Sequence, residues 1–201
     1  MTPLCWGLFL AGVFLTGAPT AIGIGNVGVL YTTEGFPPGT VAALVSCVGL
    51  ALIAGKLLYG ELADRLGGRR SSFLLYGVAL LSYGLLCLAS NKSRPVAFAA
   101  ALTFGLGLPV SNVAFSVWAR DFLGDEGFAR GLKWAQTLYA LGIVVLGPVP
   151  GWLADLTGSY VASYGLFLGL MADSFLFIMI VYHRTGSGGR PTASPGPSPT
   201  E

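Results

Sequence analysis

Six long apolar runs separated by short polar breaks make up most of this 201-residue chain, at about residues 4–31, 40–62, 72–90, 96–118, 132–153 and 161–182. Each is close to the roughly 20 residues that a helix needs to cross the hydrocarbon of a bilayer. The composition agrees, with 54% of residues hydrophobic and 10% charged, against roughly 25% charged in a soluble domain. One water-soluble core of this size has no room for so much apolar surface. Lipid offers the backbone no hydrogen bonds, so the runs are predicted to be helices. The alternating segments of about ten residues that a barrel needs are absent from the sequence. The expected fold class is an all-α membrane protein of six transmembrane helices over 1–184. A Gly/Ser/Pro/Thr-rich tail, 185–201, is predicted to be disordered.

The first run follows no positively charged segment and is too long for a cleaved signal peptide, so it is expected to be the first span. Cys5, Cys47 and Cys87 lie in apolar stretches without metal-ligand spacing and read as small packed side chains. The net charge of +2 gives no footprint for nucleic acid, and no cofactor motif survives inspection. Gly23-Ile24-Gly25-Asn26-Val27-Gly28 spells a dinucleotide fingerprint, but it lies inside an apolar run instead of between a strand and a helix. The chain has one histidine, His183, and no hydrolase or metalloprotease motif, so no enzyme is expected.

The placement of charge predicts orientation. Arg65, Arg69, Arg70, Arg120, Arg130, Lys133, Arg184 and Arg190 fall on one side of a six-span layout, and only Lys92 and Arg94 on the other. The positive-inside rule makes the first side cytoplasmic, with both termini there, in a multi-pass protein of the plasma (inner) membrane.

The second run ends in Gly60-Glu61-Leu62-Ala63-Asp64-Arg65-Leu66-Gly67-Gly68-Arg69-Arg70. Its frame Gly-x-Leu-Ala-Asp-x-x-Gly returns at Gly151-Trp152-Leu153-Ala154-Asp155-Leu156-Thr157-Gly158, this time without arginines after it. Gly17-Ala18-Pro19 matches Gly107-Leu108-Pro109 at nearly the same offset of about 90 residues. Three spans per unit reverse the direction of entry. The chain is therefore expected to hold two inverted three-helix repeats, about 4–90 and 96–182.

The Gly60–Arg70 block resembles the cytoplasmic loop motif Gly-x-x-x-Asp-Arg-x-Gly-Arg-Arg of the major facilitator superfamily, with Gly68 at a position that is usually basic. Gly147-Pro148 and the run from Gly151 to Tyr160 resemble the last third of monocarboxylate-transporter and oxalate/formate-antiporter relatives. Gly142, Gly147, Pro148 and Gly151 also resemble a glycine-proline motif on helix five of drug/proton antiporters, which would make this an N-terminal half. The Asp-x-Thr-Gly-Ser-Tyr ending and the tail favour the C-terminal six-helix half. The resemblance implies a transporter half that moves a small solute by alternating access, coupled to H+ or to an exchanged anion. It also implies a second six-helix half, from a homodimer or a separate chain.

Candidate site residues follow. Lys56 is the one basic residue well inside a span, and an ionisable group there is a functional candidate by default. In the relatives its position is typically an arginine that meets the substrate carboxylate, and lysine keeps that charge without the bidentate fork. Snorkelling to the headgroups is the other reading of Lys56. Thr20, Asn26, Ser111 and Asn112, beside the two Gly-Pro breaks, and Gln136 in the fifth run could hydrogen-bond a substrate or serve as helix-helix glue. Gly60, Asp64, Arg65, Gly67, Arg69 and Arg70 form the candidate gating motif, in which Asp64 would hold an ion pair or helix-end contact that breaks on opening. The functional alternative is a truncated, non-transporting membrane partner.

Overall fold

The computed structural model describes residues 2–187, so most of the predicted tail, with Arg190, lies outside the described residues. Among these residues the chain forms eight α-helices: α1 (Pro3–Gly17), α2 (Gly23–Thr33), α3 (Pro38–Leu66), α4 (Gly68–Leu86), α5 (Arg94–Gly107), α6 (Val113–Leu146), α7 (Val149–Thr157) and α8 (Val161–Thr185). The starts are local in origin. Thr2 Oγ1 accepts from the Cys5 amide ahead of Pro3, and α3 opens with a proline at its first position, where no donor is missed. Gly67, at φ 80°, ends α3 and starts α4 in one residue, a left-handed conformation that costs a side chain dearly and glycine nothing.

Among the described residues five helical stretches are long and apolar enough to cross a membrane: Pro3–Thr33, Pro38–Leu66, Arg94–Ser111, Val113–Thr157 and Val161–Thr185. The third predicted span corresponds to α4, which is helical but is not one of the five. It opens on two arginines and carries Ser71, Ser72, Tyr76, Ser82 and Tyr83, which dilute its hydropathy.

A second difference concerns the predicted polar break at 120–130. Arg, Ala and Glu are good helix formers, so the segment is helical on both sides of Gly124, where φ is 67° and ψ is −176°. The helix folds back there. A Cβ on Gly131 would lie 3.3 Å from the Cβ of Ala119, whereas twelve residues of straight helix span about 18 Å. The rings of Phe115 and Tyr139 likewise meet at 5.5 Å. The arms are residues 113–123 and 125–146.

Both Gly-Pro segments depart from α geometry. Ala18–Ile22 is a π turn between α1 and α2, and Leu108–Ser111 is a 3-10 turn between α5 and α6. Pro19 and Pro109 lack the donor that an α-helix would use, and the backbone adjusts locally around each.

The packing has a paired pattern. α3 lies on α5 and the second arm of α6 lies on α1, while α4 packs on α5 and α8 packs on α1. Glycines set the closest approaches. A Cβ on Gly17 would stand 2.6 Å from the Tyr139 carbonyl oxygen, and one on Gly142 would collide with the Phe14 carbonyl. On the other crossing, Gly105 meets the Val48 carbonyl and Ala51 in the same way. Small residues let membrane helices approach to backbone contact, where dispersion and weak polar contacts hold them.

Buried hydroxyls join the helices further. Trp118 Nε1 donates to Ser72 Oγ at 2.8 Å, and Tyr59 OH lies 3.1 Å from the same oxygen. Tyr76 OH donates to Ser174 Oγ at 2.7 Å, and Ser174 donates to the Gly12 carbonyl. Tyr164 OH donates to the Gly23 carbonyl at 2.7 Å. Each bond satisfies a polar atom that would otherwise be costly in an apolar interior.

Candidate functional site

Contacts divide the charges between two ends of the bundle. At one end Phe122 packs on Tyr182 with ring centroids 4.6 Å apart, Tyr182 OH donates to Asp121 Oδ2 at 2.9 Å, and both groups face Gly68. Arg65, Arg69, Arg70, Arg120, Arg130 and Arg184 flank these residues in sequence or line the clefts beside them. At the other end Ser159 Oγ donates to Glu34 Oε1 at 2.6 Å, and Lys92 Nζ lies beside Gly35. These six arginines thus gather at one end, and Lys92 and Arg94 lie at the other.

Lys56 is exposed on α3. Its neighbour Gly55 packs against Leu106 and Pro109, so Lys56 stands level with the second helix break. By helical rise it is only about 6 Å past the midpoint of α3 and about 15 Å from the Leu66 end. Gly49 and Gly60 share its face of α3, and a Cβ on either would meet nothing within 4 Å. Among the described residues the one ion pair is Arg65 with Glu61, where Nε donates to Oε1 at 2.7 Å, so Lys56 has no carboxylate partner.

The hydroxyls beside the breaks point elsewhere. Thr20 is 2% exposed; its Oγ1 donates to the Thr16 carbonyl at 2.7 Å and lies 3.2 Å from Tyr139 OH. Ser111 is 4% exposed, donates to the Leu108 carbonyl and accepts from Asn112 Nδ2 at 3.3 Å. The two breaks face each other across a narrow interior seam lined by Thr20, Ser82, Tyr83, Phe104, Val110 and Met171. Asn26 is half-buried on α2, while Asn112 and Gln136 are exposed. The structure therefore brings Thr20 together with the second break inside the bundle, and leaves Lys56 and Gln136 on its open surface.

In the candidate gate, Gly60 is half-buried near the end of α3 and Asp64 is exposed one turn later. Arg65 is held by Glu61 along the same helix, and Arg69 and Arg70 are exposed in the first turn of α4.

The profile of the Major Facilitator Superfamily matches residues 4–200. The chain belongs to that family. It is 32% identical over 125 residues to monocarboxylate transporter 12 of Rattus norvegicus, a match that covers 61% of this chain and 26% of the relative. An uncharacterized MFS-type transporter of Pseudomonas aeruginosa (strain UCBPP-PA14) is 32% identical over 169 residues, covering 82% of this chain and 40% of the relative. Monocarboxylate transporter 13 of Rattus norvegicus is 31% identical over 178 residues, covering 86% and 40%. The chain thus spans between 26% and 40% of the length of these relatives. No solved structure matches it.

As a major facilitator chain, it departs from the family loop motif for a visible steric reason. Gly68 takes the usually basic position, and a Cβ there would collide with the Asp121 carboxylate and come within 2.7 Å of Tyr182 OH. Asp121 and Tyr182 were not candidates from sequence. They meet across 61 residues, and the one local hint was the missing basic side chain at Gly68. Ser72 and Trp118, 46 residues apart, are equally silent in the sequence.

Proposed function

We propose that this chain is one six-helix half of a major facilitator transporter, made of two inverted three-helix repeats, that moves a small organic anion such as a monocarboxylate by alternating access. The fold-back at Gly124 turns the longest apolar stretch into parts of two spans, and α4 supplies the remaining one. The repeat reading is supported by the two non-α turns, about 90 residues apart, and by the paired crossings of α1 with α6 and α5 with α3. The arginine-rich end is cytoplasmic in this reading, and both termini lie there.

One observation carries the functional part: a lysine near the middle of an apolar helix, open to its surroundings and without a carboxylate partner among the described residues. A fixed cation at that depth is costly unless a water-filled cavity or an anion receives it. Lys56 is the substrate-carboxylate contact, and the exposed Asn112 and Gln136 offer further hydrogen bonds. Thr20, Asn26 and Ser111 sit at or near the breaks that let the helices flex between states. Asp64 and the arginines after it form the gate on the cytoplasmic side. A second six-helix half, from another copy or a separate chain, completes the cavity, and H+ or an exchanged anion drives the cycle.

Counterflow of labelled lactate into lactate-loaded vesicles tests the proposal. Uptake by the chain alone identifies a homodimer. Uptake only when a six-helix half from a relative is co-reconstituted identifies a separate partner. No uptake in either preparation, with the chain folded and inserted, refutes transport and favours a non-transporting membrane partner.

A further inference from the structure

A groove of about 680 Å³ runs between α4 and α8 at the arginine-rich end, lined by Leu66, Arg69, Arg70, Phe73, Phe175 and Met179. Its mouth is cationic and its floor apolar. Arg69 and Arg70 lie in the first turn of α4, where unpaired amides and the helix dipole already make a positive end. Two basic side chains there are electrostatically unfavourable unless an anion joins them. Asp121 meets the buried side of this terminus at Gly68, but Arg69 and Arg70 face outward and have no carboxylate partner among the described residues. Below them Phe73 and Phe175 meet edge to face at 5.6 Å, and Phe73 is 57% exposed. Leu74 stands between this groove and a smaller apolar pocket of about 130 Å³ on the α3 side of α4, lined by Leu58, Tyr59, Leu62 and Leu106.

A cationic mouth over two apolar channels is complementary to one kind of molecule: an anionic headgroup carrying two acyl chains. We propose that this groove binds an anionic phospholipid of the adjoining leaflet. Arg69 and Arg70 hold the headgroup phosphate, one acyl chain lies along Phe73, Phe175 and Met179, and the other follows the groove beyond Leu74. A free phosphate would satisfy the arginines but would leave both apolar channels without an occupant. The proposal needs neither the substrate assignment nor a second half.

Native mass spectrometry of the full chain, released from a neutral detergent with equal phosphatidylglycerol and phosphatidylcholine, reads the preference directly. Two basic groups at about 1 kcal/mol each predict a preference for phosphatidylglycerol of roughly thirtyfold. Arg69→Gln with Arg70→Gln should abolish it, and Arg94→Gln, at the opposite end, should keep it. Phe73→Ala with Met179→Ala should weaken phosphatidylglycerol retention although both arginines remain. Circular dichroism confirms that each variant is helical. Equal retention of the two lipids, or a preference that survives the double arginine change, overturns the proposal. So does loss of the preference in Arg94→Gln, and so does displacement of the lipid by glycerol phosphate at equal concentration, which would make the site one for a soluble anion.

Discussion

Lys56→Gln is expected to lower lactate counterflow by roughly thirtyfold or more, while Lys56→Arg retains it. Removing one member of a desolvated, hydrogen-bonded charge pair costs about 2 kcal/mol or more, and Lys56→Gln removes the cation assigned to the bound carboxylate. Arginine keeps that charge and adds a planar fork suited to a carboxylate. The structural reason to expect so large an effect is depth. Lys56 stands level with the break at Pro109, and about 15 Å of helix separates it from the Leu66 end. A snorkelling lysine would behave differently, since glutamine at that position would then leave counterflow unchanged.

Gly142→Leu should be the most damaging single change to the fold, costing about 3 kcal/mol, the upper end of the range for overpacking. A side chain at Gly142 meets the Phe14 backbone directly, and Gly17 on the facing helix has no more room, so neither helix can yield by a rotamer change. Gly105→Leu should act similarly, because that crossing also places a glycine against backbone. Gly165→Ala is the control. It lies within α8 with nothing near its Cβ position, and alanine there should be neutral or stabilising by up to about 1 kcal/mol. Thermal unfolding in detergent, followed by tryptophan fluorescence, separates the two outcomes.

Helix existence was legible because apolar run length is a direct record of bilayer thickness, and the runs around Val48 and Phe167 could hardly be anything else. The Gly-Pro breaks were legible too, since proline removes a donor wherever it stands. Their form was not: whether the backbone relaxes to a π turn at Pro19 or a 3-10 turn at Pro109 depends on the neighbours that receive it. The reversal falls inside the polar break expected at 120–130, but its form was not legible, because charged residues are tolerated on helix ends and the turn needs only Gly124. Among the candidate residues, Lys56 announced itself by charge in an apolar run. The inward course of Thr20 and Ser111 was invisible, because a hydroxyl beside a break can bond its own helix or a ligand with equal ease. Asp121 with Tyr182 and Ser72 with Trp118 depend on tertiary contact alone.

The most direct test of the central claim, that Lys56 faces a substrate cavity and not lipid, is the reactivity of Lys56→Cys. Cys47 and Cys87 are replaced by alanine, and Cys5, 3% exposed, is left in place. A thiol must ionise to react with a charged methanethiosulfonate reagent, which requires water at the site. In the reconstituted assembly, chosen as the one in which the unsubstituted chain supports counterflow, the cysteine at 56 should be modified by the trimethylammonium reagent. A cysteine inert to the charged reagent in the assembly, but modified by it once the chain is unfolded, would place residue 56 against lipid and contradict the account.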